Sequence, residues 1–322
     1  MLVQANGQWV PRSKRFLLFR SWSVRFLLFA NLFCAIPISS PAIGAELRIL
    51  GMNQALVTGS IEPGDARKLG NELSAHRPSL VFVSSGGGDV RAAIELGLLL
   101  RDLGAHLVVR DLCLSSCANY LFSLAASKSV EPGALLGFHG GVGDGALSES
   151  ALMLLPSGLR LQLAQPQLQA HPLAEDEFIR QSALKLLAAL PDALRSSVSA
   201  EDLISRLLED RREVITLEAD ALRNAHVSRD LLLLSGLLTA GEPEAVCEPR
   251  DVSATGQSIA SCHTARKSRF DFWLPCGSTL RALGVRGLVG PANELSPELL
   301  RERALLFGLR PEKLLLSCHD RE

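Results

Sequence analysis

A run of glycines, a pair of serines and a histidine are the residues of this chain whose types and order could do chemistry. The glycines lie in Ser84-Ser85-Gly86-Gly87-Gly88-Asp89. The serines lie in Asp111-Leu112-Cys113-Leu114-Ser115-Ser116-Cys117, and His139 closes Leu135-Leu136-Gly137-Phe138-His139. A serine hydroxyl is a weak nucleophile until a base takes its proton. Imidazole suits that task because it titrates near neutrality. The tetrahedral intermediate then needs preorganised N–H donors aimed at its oxyanion. A hydroxyl, an imidazole and a turn with exposed N–H groups are the three parts that acyl transfer requires. Each part alone has a plainer reading: a tight turn, a helix N-cap, a partly buried histidine. The glycine run also lacks the G-x-G-x-x-G and G-x4-G-K-[ST] spacings of phosphate loops.

The elements around these residues favour the chemical reading. Residues 47–61 read as extended chain, with Gly51 and Gly59 as punctuation. A helix follows from Glu62, carries Leu69 and Leu73, and stops at Pro78. Leu80-Val81-Phe82-Val83 is a short apolar run of the kind found in buried parallel strands. Asp89 caps a helix whose period is marked by Val90, Ala93, Ile94, Gly97 and Leu98, and Gly104 ends it. His106-Leu107-Val108-Val109 is a second buried strand, residues 118–126 a helix, and residues 135–139 a third strand. This alternation predicts parallel strands joined by right-handed crossovers. In such sheets functional groups gather at the carboxyl ends of the strands. The glycine turn, the serine turn and His139 all fall there.

Beyond residue 142 the pattern weakens. Residues 173–190 and 199–222 read as helices, with Ser199 and Asp202 resembling a capping box. Residues 229–238 are Leu-rich and read as buried. Residues 241–268 are polar and read as a loop-rich insertion. Residues 270–275 read as a strand, followed by a helix around Leu280. The fold class is α/β with a mainly parallel sheet and a helical C-terminal elaboration. Residues 46–240 form its core, and the cysteine-containing segment 241–322 packs on it.

Residues 1–45 read as a separate leader. Arg12, Lys14, Arg15, Arg20 and Arg25 precede an apolar run at 26–38, and small residues follow it, the pattern of an export signal. The run is shorter than the ~20 residues that span a bilayer comfortably. An uncleaved inner-membrane anchor is the alternative, with its positive charges on the cytoplasmic side. The expected location is the periplasm. Of seven cysteines, Cys34 lies in the leader; Cys113, Cys117, Cys247, Cys262, Cys276 and Cys318 remain. An even count in an oxidising compartment suggests disulfides. Their spacings do not resemble a zinc site, and no organic cofactor is indicated. The chain has 322 residues, with 33 Lys plus Arg against 34 Asp plus Glu, for a net charge of −1. That balance argues against nucleic acid as a main partner.

Ser85-Gly86-Gly87-Gly88-Asp89-Val90, Cys113-Leu114-Ser115-Ser116-Cys117-Ala118-Asn119-Tyr120-Leu121-Phe122 and Gly137-Phe138-His139-Gly140 resemble the Clp protease proteolytic subunit/crotonase superfamily. The nearest likeness is to its exported branch with a C-x-S-x-C serine motif. The resemblance spans residues 59–139 and extends faintly to 270–288. It implies stacked ββα units, assembly into homo-oligomers, a peptide or protein substrate, and a serine peptidase with a Ser-His-Asp triad. Carried over by position, Ser115 is the nucleophile and His139 the base. Gly87 and Ser116 supply the oxyanion N–H groups, and Gly88 lets the substrate backbone approach. One residue of helix phase separates Ser115 from Ser116, so Ser116 stays an alternative nucleophile.

The sequence departs from that pattern in three places. Gly86 stands where a proline is usual, Cys113 and Cys117 replace glycines around the serine, and no motif marks the acid. Asp144, Glu175, Asp176 and Glu177 are the candidates by position, with Asp176 taken as the provisional third member. Cys113 and Cys117, four residues apart, suit a disulfide across the serine turn. Two small buried thiols, or Cys117 as a thiol nucleophile, are the other readings. Cys247–Cys262 and Cys276–Cys318 are the remaining pairs by proximity. The other histidines, His106 among them, read as surface residues. Two further functions stand beside the peptidase. One is an inactive binding or assembly module of the cell envelope. The other is a crotonase-type acyl-CoA enzyme, against which both the export signal and Ser115 count.

Overall fold

Short β-rich runs alternate with amphipathic helices, and the chain answers with a sheet covered by helices. The computed structural model describes residues 44–142, 199–239 and 270–317, single positions between 148 and 195, and the backbone of 242–249 and 260–267. The leader up to residue 43 lies outside the described residues. Among these residues no helix is long and apolar enough to cross a membrane.

The first elements are β1 (Glu46–Gly51), β2 (Gln54–Thr58), α1 (Asp65–His76), β3 (Leu80–Ser85), α2 (Val90–Asp102) and β4 (His106–Leu114). A six-residue π-helical segment, α3 (Cys117–Phe122), follows where the sequence predicts an α-helix, and then β5 (Ser127–Val130) and β6 (Leu135–Gly137). The C-terminal elements are α4 (Ala200–Ala225), α5 (Asp230–Thr239), β7 (Glu242–Pro249), β8 (Ala260–Lys267), β9 (Phe272–Pro275), α6 (Gly277–Ala282), β10 (Leu288–Val289), α7 (Pro297–Leu306) and β11 (Leu314–Ser317). The main sheet runs β1-β2-β3-β4-β5-β10, with β6 also on β4. Within this sheet only the β1–β2 pair is antiparallel among the described residues. The protein is therefore α/β with a mostly parallel mixed sheet.

The length of β4 organises the sheet. Its first half, His106–Val109, pairs with β5, and its last residues, Leu112–Leu114, pair with β6. One strand thus carries two neighbours in succession along the same edge. Val81, Val83, Leu107, Val109 and Leu136 of the strands pack on Leu69, Leu73, Ile94, Leu100, Leu121 and Phe122 of the helices. Each fully buried side chain of this size contributes about 1.5–3 kcal/mol. Asp89 caps α2 by accepting from Ala92 N at 2.8 Å, and Ser199 caps α4 by accepting from Asp202 N at 3.4 Å, as their sequences predict.

Three elements differ from the expectation. β5 is absent from the sequence reading because Ser127-Lys128-Ser129 lacks apolar character. Lys128 is nonetheless fully buried, its Nζ donating to Ser123 O at 2.8 Å. Residues 241–268 read as a loop, yet 242–249 and 260–267 pair as an antiparallel ribbon. Pro243, Pro249 and several charges hide the alternation by which a strand is recognised. The segment after residue 240 does more than pack on the core: β10 joins β5 at the edge of the main sheet. Residues 43–322 form one compact unit.

Candidate active site

The site is built where β3, β4 and β6 end. Leu114, the last residue of β4, is in register with Gly137, the last of β6, and Cys113 with Ser85 at the end of β3. The next residues of the three chains therefore leave the sheet at one place. Ser115 N donates to Gly137 O at 3.0 Å, and Ser115 O accepts from Asn119 N at 2.8 Å. Between these anchors Ser115 takes φ +57°, a left-handed conformation that costs a non-glycine residue about 1–3 kcal/mol. A serine held so on a strand-to-helix turn presents its hydroxyl outward.

His139 Nε2 lies 2.6 Å from Ser115 Oγ. The backbone carrying His139 is fixed from several sides. Phe138 exchanges two backbone hydrogen bonds with Trp273 of β9, each 2.8 Å. Asn293 accepts from Leu136 N and donates to Leu136 O, at 3.0 and 2.7 Å. Asn119 Nδ2 donates to His139 O at 2.6 Å and to Gly140 O at 3.2 Å. Gly140 meets Gly236 of α5 so closely that a Cβ on Gly140 would lie 2.9 Å from Gly236 Cα. The Phe272 ring sits 5.7 Å from the imidazole. Burial pulls the His139 pKa below its ordinary value, with the Gly140 carbonyl acting in the opposite direction. The imidazole is thus kept neutral and able to accept a proton near neutral pH.

The two serines of the turn are separated by the structure. Ser116 is buried, its Oγ has no hydrogen-bond partner among the described residues, and His139 faces Ser115. The glycine assignments change. Gly87 N donates to Ser85 Oγ at 3.1 Å, and Ser85 Oγ donates to Gly59 O at 2.7 Å. The amide expected to serve an oxyanion is therefore engaged. The N–H groups of Gly88 and Ser116 have no hydrogen-bond partner among the described residues. Gly88 is needed by the chain itself: at φ +142°, a Cβ there would lie 2.0 Å from Ile61 O. Gly87, at φ +94°, is required by the serine turn, since its Cβ would lie 2.6 Å from Ser115 Cβ and 3.0 Å from Ser116 N.

Cys113 and Cys117 form a disulfide with Cα atoms 5.2 Å apart, so Cys117 is no free thiol. Cys276 is also disulfide-bonded; its N–H donates to Ser317 O, the residue before Cys318, which lies outside the described residues. Positions 247 and 262 face each other in the β7–β8 register. Asp144, Glu175, Asp176 and Glu177 lie outside the described residues, and no carboxylate contacts His139 among the described ones. Sequence reasoning missed Glu218 of α4, which is buried. Its Oε2 accepts from Tyr120 OH at 2.5 Å and Val142 N at 2.9 Å. Burial first, and the Glu218 charge second, push the Tyr120 pKa up, so the phenol stays a donor. His106 is no plain surface residue either: its Nδ1 meets Ser127 Oγ at 2.7 Å and its Nε2 Ser129 Oγ at 2.9 Å.

A cleft of about 650 Å³ opens beside the site between α2 and α4. Gly88, Val90, Val142, Leu207 and Val214 line it. Arg91 at its wall bridges to Asp210 at 3.1 Å and Glu213 at 3.2 Å. Among the described residues no group of three His, Cys, Asp or Glu side chains converges as metal ligands would. No protein-family model and no curated protein matches this chain.

Proposed function

We propose that this chain is an exported serine peptidase-like hydrolase of the ClpP/crotonase superfamily that cleaves peptide bonds through a Ser115 acyl-enzyme. The observation that carries the reading is the 2.6 Å contact of Ser115 Oγ with His139 Nε2, made by a serine at φ +57°. His139 Nε2 takes the hydroxyl proton as Ser115 Oγ attacks the substrate carbonyl. The Gly88 and Ser116 N–H groups receive the oxyanion. Collapse of the intermediate breaks the C–N bond, and His139 passes its proton to the leaving amine. Water, deprotonated by the same imidazole, then releases the acyl group. The cleft beside Gly88, with its apolar wall, offers room for the chain flanking the scissile bond.

The likeness in Ser85–Val90, Cys113–Phe122 and Gly137–Gly140 and the parallel sheet support the superfamily. The basic and apolar leader and the Cys113–Cys117 disulfide support export to an oxidising compartment. The test is incubation of the intact, oxidised chain with a mixed peptide library and mass spectrometry of new termini. Cleavage by the wild type and none by Ser115→Ala is expected. Equal cleavage by both proteins overturns the reading. One observation favours a second reading, a binding module on an inherited scaffold: among the described residues His139 has no carboxylate partner. A wild type that cleaves nothing and ignores serine-directed probes would overturn the hydrolase and leave this second reading standing.

A further inference from the structure

A Ser-His pair needs something to hold the imidazole in one tautomer and one orientation, the task of the acid in a Ser-His-Asp triad. In this site the residue placed to do so is Asn119. It stands one turn after Ser115 and bonds to the elbow through its own backbone, N to Ser115 O at 2.8 Å. Its carboxamide reaches across to the segment that follows β6 and donates to the carbonyls of His139 and Gly140. Those carbonyls lie past the end of β6, where the sheet offers them no further partner. With Nε2 accepting from the Ser115 hydroxyl, the proton of the neutral ring belongs on Nδ1.

Asn119 is fully buried, and its Oδ1 has no hydrogen-bond partner among the described residues. A buried amide with an orphan oxygen is costly to keep, and the reverse orientation would set oxygen against two carbonyls. The donor half of the side chain is what the site uses.

We propose that Asn119 is a positioning residue for His139: its amide ties the His139–Gly140 backbone to the Ser115 turn and so holds the imidazole with Nε2 toward Ser115. The proposal rests on the peptidase reading for its kinetic consequence but not for its structural one. The experiment therefore has two arms. The first follows the His139 ring nitrogens by NMR in protein carrying 15N-labelled histidine, with the signals assigned by their loss in His139→Gln. The wild type should show one tautomer, protonated at Nδ1. Asn119→Ala and Asn119→Asp, the latter keeping the shape while losing both donors, should show a mixture. Ser123→Ala is the control, since it removes a buried bond to Ala118 O from the same helix (2.9 Å) without touching the His139 strand.

The second arm measures labelling by a fluorophosphonate probe. A misplaced base of this kind costs about 100-fold, and that loss in the Asn119 variants, with Ser123→Ala near wild type, is expected. Wild-type tautomers in a folded Asn119 variant overturn the proposal whatever the labelling shows. A mixed tautomer with labelling within about 3-fold of wild type overturns its kinetic half. An unlabelled wild type whose tautomer still depends on Asn119 sinks the hydrolase and leaves the positioning role standing. Should Asn119→Ala not fold, Asn119→Asp decides.

Discussion

Two clusters in this molecule bring an imidazole to serine hydroxyls, and they differ in every respect that matters for catalysis. At the amino end of the sheet His106 lies on β4 opposite Ser127 of β5, in regular register. Both its ring nitrogens are taken, by Ser127 Oγ at 2.7 Å and Ser129 Oγ at 2.9 Å. At the carboxyl end His139 meets one hydroxyl through one nitrogen. That hydroxyl sits on a residue forced to φ +57°, bracketed by a disulfide and beside two amide groups left without partners among the described residues. The first cluster is a saturated cross-strand contact. The second carries a strained backbone and two N–H donors without a partner among the described residues. A close Ser–His contact is therefore no signature of a nucleophile by itself; the unfinished bonding around it is.

The comparison can be broken or sharpened by paired substitutions. The largest effect is expected for Ser115→Ala, which should abolish covalent labelling, whereas Ser129→Ala should leave the rate within about 2-fold; in-gel fluorescence of the probe reads both. Next comes His139→Gln against His106→Gln. The first should slow labelling by ~10⁴-fold or more while folding is retained. The second should leave the rate alone and lower stability by about 1–2 kcal/mol, the worth of two hydrogen bonds, measured by urea unfolding.

A smaller effect belongs to the disulfide. Reducing Cys113–Cys117, or replacing both by alanine, should cost about 2 kcal/mol of stability on the chain-entropy scale for so short a loop. It should also slow labelling, because the loop it closes contains Ser115, while the His106 cluster should be unaffected. The smallest effect is the pH shift. The neutral imidazole is the active form, and His139 has its pKa lowered from the ordinary 6.5 by burial. The labelling rate should hold below pH 6.5 and fall only as pH drops through the lowered value. The sign for folding is the same: the unfolded chain binds the proton first, so stability is full above pH 6.5 and declines as pH falls through the folded-state value. A labelling midpoint above 6.5 would contradict the burial of this imidazole.

The comparison also explains what the sequence made legible. The carboxyl ends of β3, β4 and β6 follow buried apolar runs with sharp turns, so strand, cap and turn stood out at Leu80–Val83, Asp89 and Ser115. The amino-end cluster was hidden, because β5 reads Ser-Lys-Ser-Val and a buried lysine has no pattern of its own. Burial and the Arg101 charge lower the Lys128 pKa to about 7, a tertiary effect invisible in composition. Gly88 was singled out by the resemblance for substrate approach, whereas the steric reason for a glycine there is the Ile61 backbone brought alongside from 27 residues earlier. The role of Asn119 was missed because its side-chain partners are backbone groups on another segment, which leave no residue signature; Glu218 was missed because Tyr120 and Val142 lie some 76–98 residues away in the sequence. Ser115 against Ser116 was a question of helix phase; β4 ends so that Ser115, not Ser116, meets His139.

The central claim is that Ser115, and no neighbouring hydroxyl, is activated by His139. Tandem mass spectrometry of the chain after brief exposure to a fluorophosphonate tests it most directly. The account predicts a single adduct, on Ser115, absent in His139→Gln. An adduct on Ser116, or one on Ser115 that forms equally fast without His139, would contradict it.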